Sequence, residues 1–236
     1  MIIGGLQKVT LVDYPGKLAC TVFLSGCNFR CPFCYSKELV IPEEIKSHPQ
    51  ISEKQFFDFL NEKKGLLEGC VLCGGEPTVC GDELIEFARK IKEEGFLVKL
   101  DTNGTNPKVI KKMIEKGVVD YIAMDIKTPL NKEKYIIGSG IVEIDIENIK
   151  ESIKIIKNSG IDYEFRSTIV PGIHTKEDII QMAKDIAPAN KYYLQGFRGE
   201  KGTIDDRLSS VKPFDDKLLK EIGEEIKSNF NVFKIR

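Results

Sequence analysis

Apolar positions along this chain alternate between short continuous runs and longer stretches in which they recur every three or four residues. The runs at Leu18 to Leu24, Cys70 to Cys73, Phe96 to Leu100, Val118 to Met124, Tyr163 to Ile169 and Lys191 to Leu194 predict buried strands. Helices are predicted between them. Ser52 to Leu60 opens with a Ser-x-x-Gln capping pair, Ser52 and Gln55. Asp82 to Glu94 carries Leu84, Ile85, Ala88 and Ile91 on one side. Pro107 to Lys116 has its proline in the first turn, where a missing N–H costs nothing. Ile146, Ile149, Ile153 and Ile156 mark another helix, followed by Lys176 to Ile186 and a closing helix at Phe214 to Asn229. Val232 to Ile235 is a candidate last strand.

Alternating strands and helices imply parallel strands joined by right-handed crossovers. Six or so units are too few for a complete eightfold barrel. The expectation is therefore an α/β fold, a partial (β/α)6 TIM-like open barrel with parallel strands, in a single domain over 1–236. In such folds chemistry gathers at the C-terminal ends of the strands.

Charge removes some function classes. Lys and Arg total 35 against 36 Asp and Glu, so nothing favours nucleic acid as a partner. No apolar run approaches the roughly 18 residues of a spanning helix, so no membrane partner is expected. Met1 to Gly5 lacks the features of a signal peptide, and a cytoplasmic location is expected. All 7 cysteines lie between Cys20 and Cys80. An odd, clustered set argues against disulfides and for metal or thiol chemistry.

The first strand runs into Cys27-Asn28-Phe29-Arg30-Cys31-Pro32-Phe33-Cys34-Tyr35, a C-x3-C-x2-C spacing. Three thiolates on one loop can hold three irons of a cubane cluster and leave the fourth open to a ligand. The alternative is zinc, with a fourth ligand from Cys70, Cys73 or His48; the spacing is not that of paired C-x2-C zinc modules. Cys73-Gly74-Gly75-Glu76-Pro77 follows the second strand, with glycines that permit close backbone approach and a carboxylate that can accept from an ammonium. Asp101-Thr102-Asn103-Gly104 follows the third strand and Asp125-Ile126-Lys127 the fourth. Arg166 stands inside the fifth strand, where an arginine needs an anionic partner, and Gln195 ends the sixth.

This ordered series resembles the radical S-adenosylmethionine (SAM) superfamily, from Leu11 to about Gly199. The resemblance implies a [4Fe-4S] cluster on Cys27, Cys31 and Cys34, with SAM chelated to the open iron. It implies that Phe33 packs near the adenine and that Cys34, Tyr35, Gly74, Gly75 and Glu76 line the cofactor. Glu76 would face the SAM ammonium, and Lys127 and Arg166 its carboxylate. Asp101, Thr102, Asn103, Asp125, Ile126 and Gln195 complete the implied contacts. No catalytic residue beyond the cluster and SAM is implied.

The lead-in Val12-Asp13-Tyr14-Pro15-Gly16-Lys17-Leu18 narrows the resemblance to the glycyl-radical enzyme activating family. It is similar to the activating proteins of anaerobic ribonucleoside-triphosphate reductase, with pyruvate formate-lyase activating enzyme a close relative. The implied partners are a glycyl-radical enzyme as protein substrate and a low-potential electron donor such as flavodoxin or ferredoxin. Cys34-Tyr35-Ser36 departs from the Cys-His-Asn of many activating enzymes, and Leu39 to Gly69 has no cysteine for a ferredoxin-like insert. Two alternatives stand: a small-molecule radical SAM enzyme such as a 7-carboxy-7-deazaguanine synthase, and a non-enzymatic iron–sulfur or zinc module. Cys20, Cys70, Cys73 and Cys80 are expected as free thiols, His48 and His174 as polar loop residues, and Gly196 to Lys212 as a candidate lid.

Overall fold

The computed structural model describes residues 1–236, the side chain of residue 201 excepted. The elements run β1 (Ile3–Thr10), β2 (Ala19–Leu24), α1 (Lys37–Val40), α2 (Pro42–Ser47), α3 (Glu53–Glu62), β3 (Gly69–Gly74), α4 (Asp82–Glu93), β4 (Leu97–Thr102), α5 (Pro107–Glu115) and β5 (Tyr121–Asp125). They continue with α6 (Lys132–Ser139), α7 (Ile146–Lys157), β6 (Asp162–Ile169), α8 (Lys176–Ile186), β7 (Ala189–Gly196), α9 (Asp216–Ile226) and β8 (Phe230–Ile235). One eight-stranded sheet holds the strands in chain order. β1 pairs antiparallel with β2, and every later pair is parallel. The two edges, β1 and β8, do not pair, so the barrel is open as expected.

Six crossovers, through α3, α4, α5, α7, α8 and α9, match the six units read from the sequence. The predicted capping pair opens α3: Gln55 N–H donates to Ser52 Oγ, and Ser52 N–H donates to Gln55. The candidate last strand, Val232 to Ile235, forms within β8 and makes the parallel array seven strands, which β1 precedes. β1 escapes periodicity because Gly4, Gly5, Gln7 and Lys8 interrupt its apolar signal on an edge strand. The closing helix is shorter than Phe214 to Asn229: α9 ends at Ile226 and a 3-10 turn covers Lys227–Asn229. Val118 and Val119 are buried, but they precede β5 rather than belonging to it.

Successive side chains point to opposite faces of the sheet. On the outer face Cys20, Val22, Cys70, Leu72, Val98, Leu100, Ile122 and Phe165 share one core with Leu84, Ile91 and Ile110 of the helices. On the inner face Tyr14, Ala19, Val71, Tyr121 and Ala123 form a small separate cluster. The Pro15–Gly16 turn presents Tyr14, which packs against Tyr121 at 5.9 Å between ring centroids. A Cβ at Gly69 would lie 3.0 Å from the Tyr14 ring, so the lead-in motif seals the floor of the barrel.

Candidate active site

Loops after β2, β3, β4 and β5 converge with the end of β6 around an open cavity of about 210 Å3. All three triplet cysteines, Cys27, Cys31 and Cys34, border it, as do Phe33 and Tyr35. The loop that carries them is tied down along its length. Gly26 N–H donates to Leu39 O at 2.7 Å, and Arg30 N–H to Ser139 O at 2.8 Å. The Arg30 guanidinium donates back to the Cys27 and Phe29 carbonyls, each at 2.7 Å. From the far side, Ile204 N–H donates to Cys34 O and Asp205 N–H to Pro32 O. Residues 197–205 of the candidate lid therefore lie against the cysteine loop. Tyr35 joins them: its hydroxyl accepts from Arg198 N–H at 2.7 Å and its ring stacks on Phe197 at 6.0 Å.

The glycine pair serves backbone packing between loops. A Cβ on Gly74 would lie 2.2 Å from Leu24 O, and one on Gly75 the same distance from Gly26 O. Gly74 also takes φ +126, which favours glycine. Two further bonds, Gly75 N–H to Leu24 O and Glu76 N–H to Gly26 O, each 2.8 Å, nest this turn against the cysteine loop. Glu76 is buried at 1% exposure and borders the cavity. Its carboxylate accepts from Thr78 N–H and Oγ–H, from Thr102 Oγ–H at 2.7 Å and from Asn103 N–H at 2.5 Å. Burial raises its pKa, and these donors oppose the rise. Both oxygens are thus engaged by the chain, so Glu76 holds the β3 and β4 loops together.

A chain of charges crosses the inner face beneath. Arg166 donates through Nη1 to Asp101 at 3.0 Å and through Nε to Asp125 at 2.9 Å. Lys127 Nζ meets Asp125 at 3.0 Å, and the fully buried Lys99 pairs with Asp101. Burial alone would raise the Asp125 carboxyl, but Arg166 and Lys127 outweigh it and hold the group below the usual range. Burial likewise opposes the charge on Lys127, and Asp125 restores it. With no cationic partner of that strength, the Cys27 and Cys31 thiols are pushed up to about 12 and about 11 by burial. Metal binding there would displace protons.

The cavity brings together Phe33, Cys34, Tyr35, Gly74, Gly75, Glu76, Asp101, Thr102, Asn103, Asp125, Lys127 and Arg166 from the sequence-predicted set. Two are not brought in. Ile126 is fully buried in the outer core, because alternation turns it away between Asp125 and Lys127. Gln195 lies at the end of β7, outside the cavity lining. Among the described residues no three His, Cys, Asp or Glu side chains are grouped to hold one ion. His48 bonds Gly4 O, and Cys70 is buried in the outer core beside Cys20. A cubane places its cysteines on separate irons, so its thiols need not converge on a single point.

Sequence reading missed Phe29, Cys73 and Thr168, which also border the cavity. Cys73 and Thr168 share inner-face parity with Asp101 and Arg166, a signal that register would have given. His174, expected in a polar loop, is 3% exposed behind Lys127.

The model of the Radical SAM superfamily matches residues 21–186, and the chain belongs to that family. It is 33% identical to the Methanocaldococcus jannaschii protein named "putative glycyl-radical enzyme activating enzyme", over 100% of this chain and 95% of that one. It is 27% identical to the pyruvate formate-lyase-activating enzyme of Clostridium pasteurianum, over 95% of this chain and 96% of that enzyme. A solved domain of a pyruvate-formate lyase-activating enzyme from Bacteroides vulgatus superposes with TM-score 0.55 at 13% identity, covering 72% of this chain and 99% of that domain. Membership implies SAM and an iron–sulfur cluster as cofactors, and an enzyme of the radical SAM activating type. Among the described residues no helix is long and apolar enough to cross a membrane.

Proposed function

We propose that this enzyme reductively cleaves SAM at a [4Fe-4S] cluster and generates a glycyl radical on a partner enzyme. The observation that carries the reading is the meeting of three thiols with Lys127 and Arg166 on one cavity. That donor set suits a cubane held on three irons, with the fourth left for a ligand bearing a carboxylate. Cys27, Cys31 and Cys34 would hold the cluster, and Lys127 and Arg166 would face the SAM carboxylate. When bound, the pair supplies one-electron cleavage of the SAM carbon–sulfur bond and a radical able to take a hydrogen atom.

The chain's own residues position and shield. Asp125 fixes Lys127 and, with Asp101, fixes Arg166, so the cations are oriented before a ligand arrives. Phe33 supplies an apolar wall on which an adenine can lie. Three donors crowd Glu76 Oε1, whereas Oε2 accepts from Asn103 N–H alone among the described residues and keeps acceptor capacity, so Glu76 and the backbone carbonyls of the Gly74–Gly75 turn would together face an ammonium. The names of the two full-length relatives support a glycyl-radical enzyme as partner; the proposal adds a reductase of ribonucleoside triphosphates or a pyruvate formate-lyase-like enzyme as first candidates, a low-potential flavodoxin or ferredoxin as donor and the cytoplasm as location.

The test is anaerobic. The reconstituted, reduced protein with SAM should yield 5'-deoxyadenosine, and Cys31→Ala should bring the yield to background with loss of iron. Adding a candidate partner should then give a glycyl radical signal in electron paramagnetic resonance. Cleavage without a radical on any glycyl-radical enzyme would move the reading to a small-molecule substrate, and iron binding without cleavage would remove it.

A further inference from the structure

His174 lies in the loop after β6, outside the cavity lining, yet its ring is bound on every side. Nδ1 accepts from Val170 N–H at 2.9 Å. A backbone N–H can only donate, so the ring proton sits on Nε2. Nε2–H then donates to the Lys127 carbonyl at 2.7 Å. The ring also meets Phe33 edge-on, 6.5 Å between centroids, and Phe33 lies 6.0 Å from Lys127 Nζ. One side chain thus reaches two cavity-lining residues from two other loops while rooted in a third. Asp178 and Lys134, whose charges act on the ring in opposite directions, pair with each other. Burial lowers the pKa of the ring, in keeping with a neutral imidazole.

We propose that His174 is a positioning residue for SAM, holding the Lys127 backbone, and so its ammonium, at the reach that meets the SAM carboxylate. This rests on the cavity being the SAM site. The role differs from packing, because it depends on a donor at the Nε2 position. His174→Gln can place an amide N–H near Nε2 and keep the Lys127 bond. His174→Asn places its oxygen near Nδ1, keeps the Val170 bond and cannot reach Lys127.

The experiment measures SAM binding to the reconstituted, anaerobic protein, together with the melting temperature of each variant. His174→Asn should weaken binding about tenfold, the scale of one lost buried hydrogen bond. His174→Gln should stay within about threefold of wild type although it too lacks the ring. Should Asn prevent folding, His174→Ser, whose hydroxyl is too short to reach Lys127, replaces it. Lys127→Met should abolish the difference between the Asn and Gln variants. Equal binding by the two variants, or losses that simply follow their melting temperatures, would overturn the proposal. Absence of SAM binding by wild type would instead overturn the reading of the cavity.

Discussion

On β4, Val98 and Leu100 point outward into the large helix-covered core, whereas Lys99 and Asp101 point inward and pair with each other. The same contrast recurs on its neighbours. Ile122 and Met124 oppose Asp125 on β5, and Phe165 opposes Glu164 and Arg166 on β6. The outer face is held by non-directional burial, at about 25 cal/mol per Å2 of apolar surface, and tolerates changes that conserve volume. Beside the cavity the inner face is held by directed charge pairs, where removing one partner weakens the hold on another. Identical strands therefore carry cohesion on one side and ligand chemistry on the other, and the two sides should fail differently.

The largest separation should come from Arg166, which bridges Asp101 and Asp125. Arg166→Met leaves two partly buried carboxylates facing each other with one lysine each, and should weaken SAM binding on the order of 100-fold, with a stability loss of about 3 kcal/mol. Arg166→Lys should recover little, because one ammonium cannot reproduce the two contacts made by Nε and Nη1. Equilibrium binding and urea unfolding read both effects. An Arg166→Met protein that binds SAM normally would collapse the distinction between the faces.

Leu72 is the matching test on the outer face, fully buried two positions after Cys70. Leu72→Ala should cost about 2–5 kcal/mol through lost burial and a residual cavity. SAM affinity, measured well below the melting transition, should stay within about twofold of wild type, because the Leu72 side chain faces the outer core and does not border the cavity. A smaller effect is expected one residue on. Cys73 turns inward and borders the cavity, and burial pushes its thiol up to about 12, so it stays protonated. Cys73→Ala should change stability by about 1 kcal/mol, the scale of a small buried group, and leave iron content unaltered. Iron loss in that variant would make Cys73 part of the metal site and blur the comparison.

Much of the outer face was legible because burial leaves a periodic trace. The six crossover helices, from the Ser52–Gln55 capping box to α9, follow from apolar spacing. The site was legible as motifs at strand ends, but motif membership says nothing about which way a side chain faces. Ile126 sits inside Asp-Ile-Lys and is turned into the core by the pleat. Glu76 looked like a ligand carboxylate, and its partners Thr102 and Asn103, 26 and 27 residues away, are tertiary contacts that no local pattern encodes. Lys99 carries no signal of its own within an apolar run, and its place on the inner face beside Asp101 explains its burial. β1 and α6 were invisible for a plainer reason: neither carries an apolar stripe.

The smallest effect concerns His174, in the loop after β6, and it depends on pH. Burial holds its folded pKa below the value of 6.5 that the unfolded chain would show. Between those two values the unfolded chain binds more protons, so stability falls as pH drops below 6.5 and is unaffected above it. Protonation would also turn Nδ1 into a donor facing the Val170 N–H, breaking the bond that fixes the tautomer. Glu76 acts with the opposite sign: its raised folded pKa favours the folded state as pH falls toward the carboxylate range. The difference between wild type and His174→Gln isolates the histidine, since Glu76 is common to both. Urea unfolding at pH 7.5, 6.5 and 5.5, on cluster-free protein in each case, should show wild type losing up to about 1 kcal/mol more than the variant below pH 6.5. A flat difference would mean that the ring does not resist protonation, and the neutral Nε2–H donor to Lys127 would lose its support.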